Sequence, residues 1–158
     1  YYDMDEKIFT TTNKADLELA INLDLGSSEF VYIRGNLMIK INPIYCDLDK
    51  SFIRPDAQLE LERVVRIMEK YPLLKINLGS HTDSRASDSY NWSLSNRRAQ
   101  SSKNWIVSQG IDANRINAQG YGETELVNKC SNDVICSEAD HQLNRRTEFI
   151  ITNPEVIK

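Results

Sequence analysis

Between Gly79 and Gln100 the chain reads GSHTDSRASDSYNWSLSNRRAQ, and three kinds of chemistry compete for that stretch. Ser80, His81 and Asp83 supply a hydroxyl, an imidazole and a carboxylate, the parts of a hydrolytic triad. His81 and Asp83, with the other histidine, His141, are donors that could hold zinc. Asp83 with Arg98 is a pair of opposite charges suited to a zwitterion: the carboxylate takes an ammonium, and the planar guanidinium pairs bidentately with a carboxylate. The triad reading is poor. Successive residues at a strand end point to opposite faces, so Ser80 and His81 diverge, and no Gly-x-Ser-x-Gly elbow is present. The metal reading lacks a His-Glu-x-x-His or comparable spacing. The plainer role for His81 is a ring hydrogen-bonded to local backbone where the strand leaves the sheet. The clamp has a plain alternative too, in which Asp83 and Arg98 pair only with each other. Asn91 and backbone groups of the 47–50 loop would add neutral hydrogen bonds to a bound zwitterion.

The elements that must position these residues are legible from periodicity. Leu37, Ile39 and Ile41 alternate along a strand, with Pro43 at an edge or bulge. From Pro55 to Lys70, Ala57, Leu61, Val64, Val65 and Met68 fall at helical spacing, Pro55 suits a first helical position, and Pro72 ends the run. LLKINLGS is a strand with Leu74, Ile76 and Leu78 on one face. A second helix runs from Asp88 to Gln109, closed by Gly110, with Leu94, Arg98, Ser101 and Trp105 on one stripe. RINAQGYG and RRTEFIIT read as two further strands with a loop between them. The expectation is an α+β fold: a βαβαββ mixed sheet with helices packed on one face. LELAINLDL, near the start, fits either a short helix or an extended segment.

Bulk composition narrows the function classes. The chain has 158 residues, enough for one domain with a small appendage. Its formal net charge of -4 argues against nucleic acid as a partner. No run approaches the roughly 18 apolar residues of a membrane span. The chain opens YYDMDEK, without an initiator methionine, and reads as a piece of a longer protein whose membrane anchor or signal would lie upstream. Cys130 and Cys136 bracket a short polar loop with no partners at zinc-ribbon spacing. A local disulfide there implies an oxidising compartment; two free thiols are the alternative. Cys46, in an apolar stretch, reads as a small buried hydrophobe.

The ordered motifs resemble one family. His81-Thr82-Asp83, Tyr90-Asn91, Leu94-Ser95 and Arg97-Arg98-Ala99 are followed by Gly110-Ile111, Arg115-Ile116, Gly120-Tyr121-Gly122-Glu123 and Asn144-Arg145-Arg146. Together they are similar to the OmpA-like C-terminal domain of outer-membrane porin-like proteins, peptidoglycan-associated lipoproteins and flagellar stator subunits. The resemblance runs from about Pro43 to Thr152 and divides the chain into a linker or edge of a preceding domain, 1–36, and the OmpA-like domain, 37–153. It implies a non-catalytic periplasmic module, part of a cell outer membrane protein, that binds peptidoglycan through the meso-diaminopimelate of the stem peptide. Such a module anchors an outer membrane or a membrane complex to the cell wall. It implies no cofactor and no metal, and contact with a membrane only through a missing upstream segment; a homodimer stays open. Carried over by position, Asp83 takes the ligand's ammonium, Arg98 its carboxylate, Asn91 supports them, and Leu48 and Asp49 contribute backbone contacts. Ala86 stands where the family usually has glycine, Cys46 where an aromatic is common, and Ser102 where an aliphatic is frequent. Two alternatives remain at this point: a cell-wall amidase or hydrolase using His81 and Asp83, and a protein-interaction domain whose charge pair is structural.

Overall fold

The computed structural model describes residues 29–44 and 52–157. Leu48, Asp49 and Cys46 therefore lie outside the described residues, as does the LELAINLDL segment. Five strands form one mixed sheet: β1 (Phe30–Ile33), β2 (Asn36–Ile39), β3 (Ile76–His81), β4 (Ile116–Gly122) and β5 (Thr147–Ile151), in spatial order β1-β2-β5-β3-β4. Only β3 and β4 pair in parallel; the β1–β2, β2–β5 and β3–β5 pairs are antiparallel. Among the described residues three α-helices accompany them: α1 (Pro55–Lys70), α2 (Asp88–Ser108) and α3 (Glu138–Asn144). The fold is α+β, as the periodicity indicates.

The sheet has one face covered by α1 and α2. Ile76 and Leu78 of β3 and Phe149 and Ile151 of β5 join Ala57, Leu61, Val64 and Met68 of α1 and Ala99 and Ile106 of α2 in one apolar core. Leu61, Met68, Leu74, Leu78 and Ile106 are sealed from solvent, and each such burial stabilises the fold by about 1.5–3 kcal/mol. The alternate residues of the same strands face the other way. There Asn77 donates to the Tyr121 hydroxyl at 3.1 Å, and His81 stacks on the Tyr121 ring. A single strand end thus sends Ser80 to one side and His81 to the other.

Helix α2 seats on β4 through small groups, and this corrects the expected stripe. Its buried residues are Asn91, Leu94, Ser95, Arg98, Ala99, Ser102 and Ile106, whereas Ser101 and Trp105 are only partly covered. The stripe turns towards Ser95 and Ser102 because the helix lies against the β4 backbone. Ser95 Oγ accepts from the Gly122 amide at 2.9 Å, and Asn96 Oδ1 accepts from Gly120 at 2.9 Å. A Cβ at Gly120 would stand 2.2 Å from the Asn96 nitrogen, so glycine is required there by close approach. Gly110, with φ of 103°, ends the helix region as anticipated. Arg115 closes the far end of α1: its guanidinium donates to the carbonyls of Met68, Tyr71 and Leu74.

Two elements escaped the periodicity reading. Strand β1 forms a hairpin with β2 through Arg34 and Gly35, both at positive φ, so the sheet begins N-terminal of Leu37. Helix α3 occupies what was read as loop. Its start carries a capping box, in which Ser137 and Asp140 exchange hydrogen bonds.

Candidate functional site

Asp83 follows β3 in the loop that leads to α2, and its carboxylate is held from three directions. Oδ1 accepts from the Arg85 amide at 3.1 Å; Oδ2 accepts from the Arg85 guanidinium at 2.8 Å and from Arg145 at 2.6 Å. Burial alone would raise this carboxyl, but the donors of Arg85 and Arg145 outweigh it and bring its pKa down to about 2. An ionised carboxylate offers about four acceptor positions, and three donors fill it among the described residues. Arg145 and Arg85 both reach on to Glu138 at the start of α3, at 2.5 and 2.7 Å, and Arg145 also donates to Gln142.

Asn91 fixes the loop rather than merely lining it. Its amide nitrogen donates to the carbonyls of Asp83 and Ala86, at 3.1 and 3.3 Å, and to Glu123 at 2.5 Å. Glu123 in turn accepts from Asn132 at 2.9 Å, which links the pocket to the cysteine-bracketed loop. Arg98, 2 % exposed, lies on the same side of α2 as Asn91 and Leu94. Asp83, Asn91 and Arg98 line one cavity of about 200 Å³, together with Thr82, Arg85 and Arg145. The residues singled out for the clamp are therefore brought together, apart from Leu48 and Asp49, which fall outside the described residues. Asp83 and Arg98 do not spend themselves on each other: the ion pairs of Asp83 among the described residues go to Arg85 and Arg145. Around the pocket stand three guanidiniums, from Arg85, Arg98 and Arg145, against the carboxylates of Asp83 and Glu138.

The competing chemistries do not assemble. Ser80 Oγ lies 3.3 Å from Thr147 Oγ1 on the helix side of the sheet, while His81 is on the other side. The His81 ring does not bond local backbone as expected. Its Nε2 stands 3.6 Å from Glu148, its plane stacks on Tyr121, and Nδ1 has no hydrogen-bond partner among the described residues. The reason is the direction of strand β5, which carries Glu148 opposite Gly79 and so alongside the ring. His81, Asp83 and His141 do not gather as ligands. Among the described residues the clustered donor set is Cys130, Cys136 and Asp140, and its two sulfurs are joined in a disulfide.

A family model described as the OmpA family matches residues 45–138, more than half of the chain. The chain belongs to the OmpA family. The Peptidoglycan-associated lipoprotein of Brucella melitensis is 33 % identical over 108 residues, which cover 68 % of this chain and 61 % of the relative. Outer membrane porin F of Pseudomonas fluorescens is 36 % identical over 102 residues, 65 % of this chain and 30 % of that protein. The crystal structure of the peptidoglycan-associated lipoprotein from Burkholderia pseudomallei has the same fold, with a TM-score of 0.64 at 22 % identity over 72 % of this chain and 91 % of that one. The chain spans between 14 % and 61 % of the length of the first curated relatives it matches. No helix among the described residues is long and apolar enough to cross a membrane.

Within this OmpA-family domain, the residues that sequence reasoning left without a role are Arg85 and Arg145. The signal was present: Asn144-Arg145-Arg146 stood out as a motif, but its three members go to three places. Asn144 Oδ1 accepts from the Val127 amide at 2.8 Å, Arg145 meets Asp83, and Arg146 meets Glu148 at 2.7 Å on the opposite face. Asn144 ends α3 and Arg145 and Arg146 lead from it into β5, so the three side chains leave in different directions, and which arginine enters the pocket depends on the register of β5.

Proposed function

We propose that this domain is a non-catalytic binder of peptidoglycan, engaging the meso-diaminopimelate of the stem peptide and so anchoring an outer membrane protein or membrane complex to the cell wall. The observation that carries the reading is the 200 Å³ pocket whose wall holds both Asp83 and Arg98, side chains of opposite charge. Arg98 takes the ligand carboxylate through its fork, and Asp83 takes the ammonium. Asn91 holds the 83–86 loop in the shape that both contacts need, and the family resemblance assigns further backbone contacts to Leu48 and Asp49, outside the described residues. A relative named for association with peptidoglycan and another named as an outer membrane porin support this assignment. The Cys130–Cys136 disulfide fits the periplasm, an oxidising compartment. Hydrolysis is not expected, because Ser80 and His81 lie on opposite faces of the sheet and no base–nucleophile pair forms.

A second reading, a protein-interaction domain with structural charges, draws on the contacts that Asp83 already makes with Arg85 and Arg145. Sacculus pull-down and calorimetric titration with free meso-diaminopimelate separate the two. Binding by the wild type that is lost in folded Arg98→Ala supports the clamp; equal binding by both favours structural charges. Release of soluble muropeptides that depends on His81 or Ser80 would instead establish a hydrolase.

A further inference from the structure

The cysteine loop brings a carboxylate up to its own disulfide. The two sulfurs of Cys130 and Cys136 and a carboxylate oxygen of Asp140 all lie within 4.8 Å of one another. While the sulfurs are bonded to each other they are poor ligands, because the thiolate is the form that binds a metal. Reduction changes their chemistry. Exchange with a dithiol supplies two electrons: the Cys130–Cys136 bond breaks, both sulfurs leave as thiols, and the dithiol closes to its own disulfide. Two cysteines and an aspartate then converge on one point. Sulfur and carboxylate donors together suit zinc, whereas calcium and magnesium call for oxygen ligands throughout.

The scaffold that aims these groups does not depend on the sulfur bond. Asn128 joins the two segments that carry them: its Oδ1 accepts from the Cys130 amide at 3.1 Å, and its Nδ2 donates to the Asp140 carbonyl at 2.8 Å. Asn144 of α3 donates to the same Asn128 oxygen at 2.8 Å, and Ser84 Oγ donates to the Cys130 carbonyl at 2.6 Å. The Asp140 carboxylate accepts from the Ser137 hydroxyl at 2.7 Å within the capping box, the kind of outer partner that orients a metal-binding carboxylate. Two of the three groups therefore keep their places on reduction, and only Cys136 has to turn. Thiolates around tetrahedral zinc stand about 3.8 Å apart. The Cα separation of 5.9 Å allows that spacing by side-chain rotation. We propose that the reduced loop is a binding site for a thiophilic divalent cation, zinc above all, held by Cys130, Cys136 and Asp140 with water in the fourth position. Zinc displaces the two thiol protons as it binds and closes the same loop that the disulfide closes. The metal site does not depend on what the Asp83 pocket takes.

The test is a zinc titration of the whole chain in competition with a chromophoric chelator, with Cys46→Ser in every sample to remove the third thiol. The chain is compared oxidised and after reduction, with the reductant removed under nitrogen. The reduced chain takes up one zinc ion and the oxidised chain none. Cobalt in place of zinc gives a thiolate-to-cobalt charge-transfer band in the reduced chain alone. Cys136→Ser abolishes both signals. Asp140→Asn weakens zinc binding by about ten-fold or more, since even the loss of an outer partner costs that much. Asp140→His, which restores a zinc donor, recovers most of the loss. No zinc uptake by the reduced chain, equal uptake by the oxidised chain, or uptake unmoved by Cys136→Ser overturns the site. Binding equal in wild type and Asp140→Asn overturns the three-ligand arrangement.

Discussion

Two ionic clusters hang from the end of strand β3, one on each side of the sheet, and they differ in what they have left to offer. On the outer side His81 stacks on Tyr121 and faces Glu148, which also takes donors from Arg146 and Arg34. On the helix side Asp83 is gripped by Arg85 and Arg145, and a 200 Å³ pocket opens beside it with Arg98 in its wall. Both carboxylates are partly desolvated, which by itself would raise them, and in both the donors win and bring the pKa down to about 2. Similar electrostatics therefore do not distinguish a binding site from a structural one. The distinction lies in the cavity. The outer cluster has no such space beside it among the clefts described, whereas the inner cluster has a cavity with a third guanidinium, that of Arg98, in its wall.

The largest effect expected is on the inner side. Arg98→Ala weakens binding of diaminopimelate by about ten-fold or more, since a charge-assisted contact is worth roughly 1.5–3 kcal/mol. Arg98→Lys also weakens it substantially, because an ammonium cannot reproduce the planar fork. Glu148→Gln, made in parallel, leaves binding at the wild-type level. Calorimetric titration of the three variants, each shown by circular dichroism to be folded, checks this. Loss of binding in Glu148→Gln alone would invert the assignment of the two clusters.

A smaller effect is expected on stability, and here the outer cluster is the sensitive one. Glu148→Gln removes the charge that faces Arg146, Arg34 and His81, on a carboxylate 11 % exposed, and a loss of about 1–3 kcal/mol follows. The sign of its pH dependence is fixed by the shift. The Glu148 pKa is lowered from 4.5 to about 2 in the folded protein, so its contribution is present above about 4.5 and lost as pH falls towards about 2. Urea unfolding of wild type and Glu148→Gln should therefore give curves well separated at pH 7 that converge as pH approaches 2. A gap that stays constant down to pH 2 would show that the charge plays no part.

How much of this was legible in the sequence depends on which physical signal each residue carried. Helix α1 was readable to its ends because Pro55 and Pro72 punctuate a strong apolar stripe. Helix α2 was readable in extent, from Asp88 to its close at Gly110, but not in rotation. Its contact face is made of Ser95, Ala99 and Ser102, and small polar residues carry no amphipathic signal; only the two glycines of β4 hint that a helix comes close. Strand β1 was missed because four residues, FVYI, are too short for alternation to show, although the following Arg-Gly is turn-forming. At the site, Asp83, Asn91 and Arg98 are near in sequence; their charges suggested a clamp, and the family resemblance assigned each a role. Arg145 arrives from 62 residues away, through pairing of β5 with β3, and no local pattern announces which arginine of a doublet will point inward.

The doublet Arg97-Arg98 gives the smallest predicted effect and the sharpest control. Both are arginines on α2, so net charge and helix propensity are matched, and only direction differs. Successive helical residues are rotated by about 100°, which is enough to place one in the wall of the pocket and the other in solvent. Arg98 is 2 % exposed, whereas Arg97 is exposed and donates to Ser93 Oγ one turn back, at 2.7 Å. Removing an exposed contact of that kind alters stability by no more than about 0.5 kcal/mol. If the inner cluster works by placement, Arg97→Ala binds diaminopimelate within about two-fold of wild type while Arg98→Ala does not. If it works by a diffuse positive field, the two substitutions weaken binding equally, and both lose their effect as salt shortens the screening length below about 10 Å. Titration of the pair at low and high ionic strength distinguishes these outcomes, and equal losses that vanish in salt would remove Arg98 from the role assigned to it.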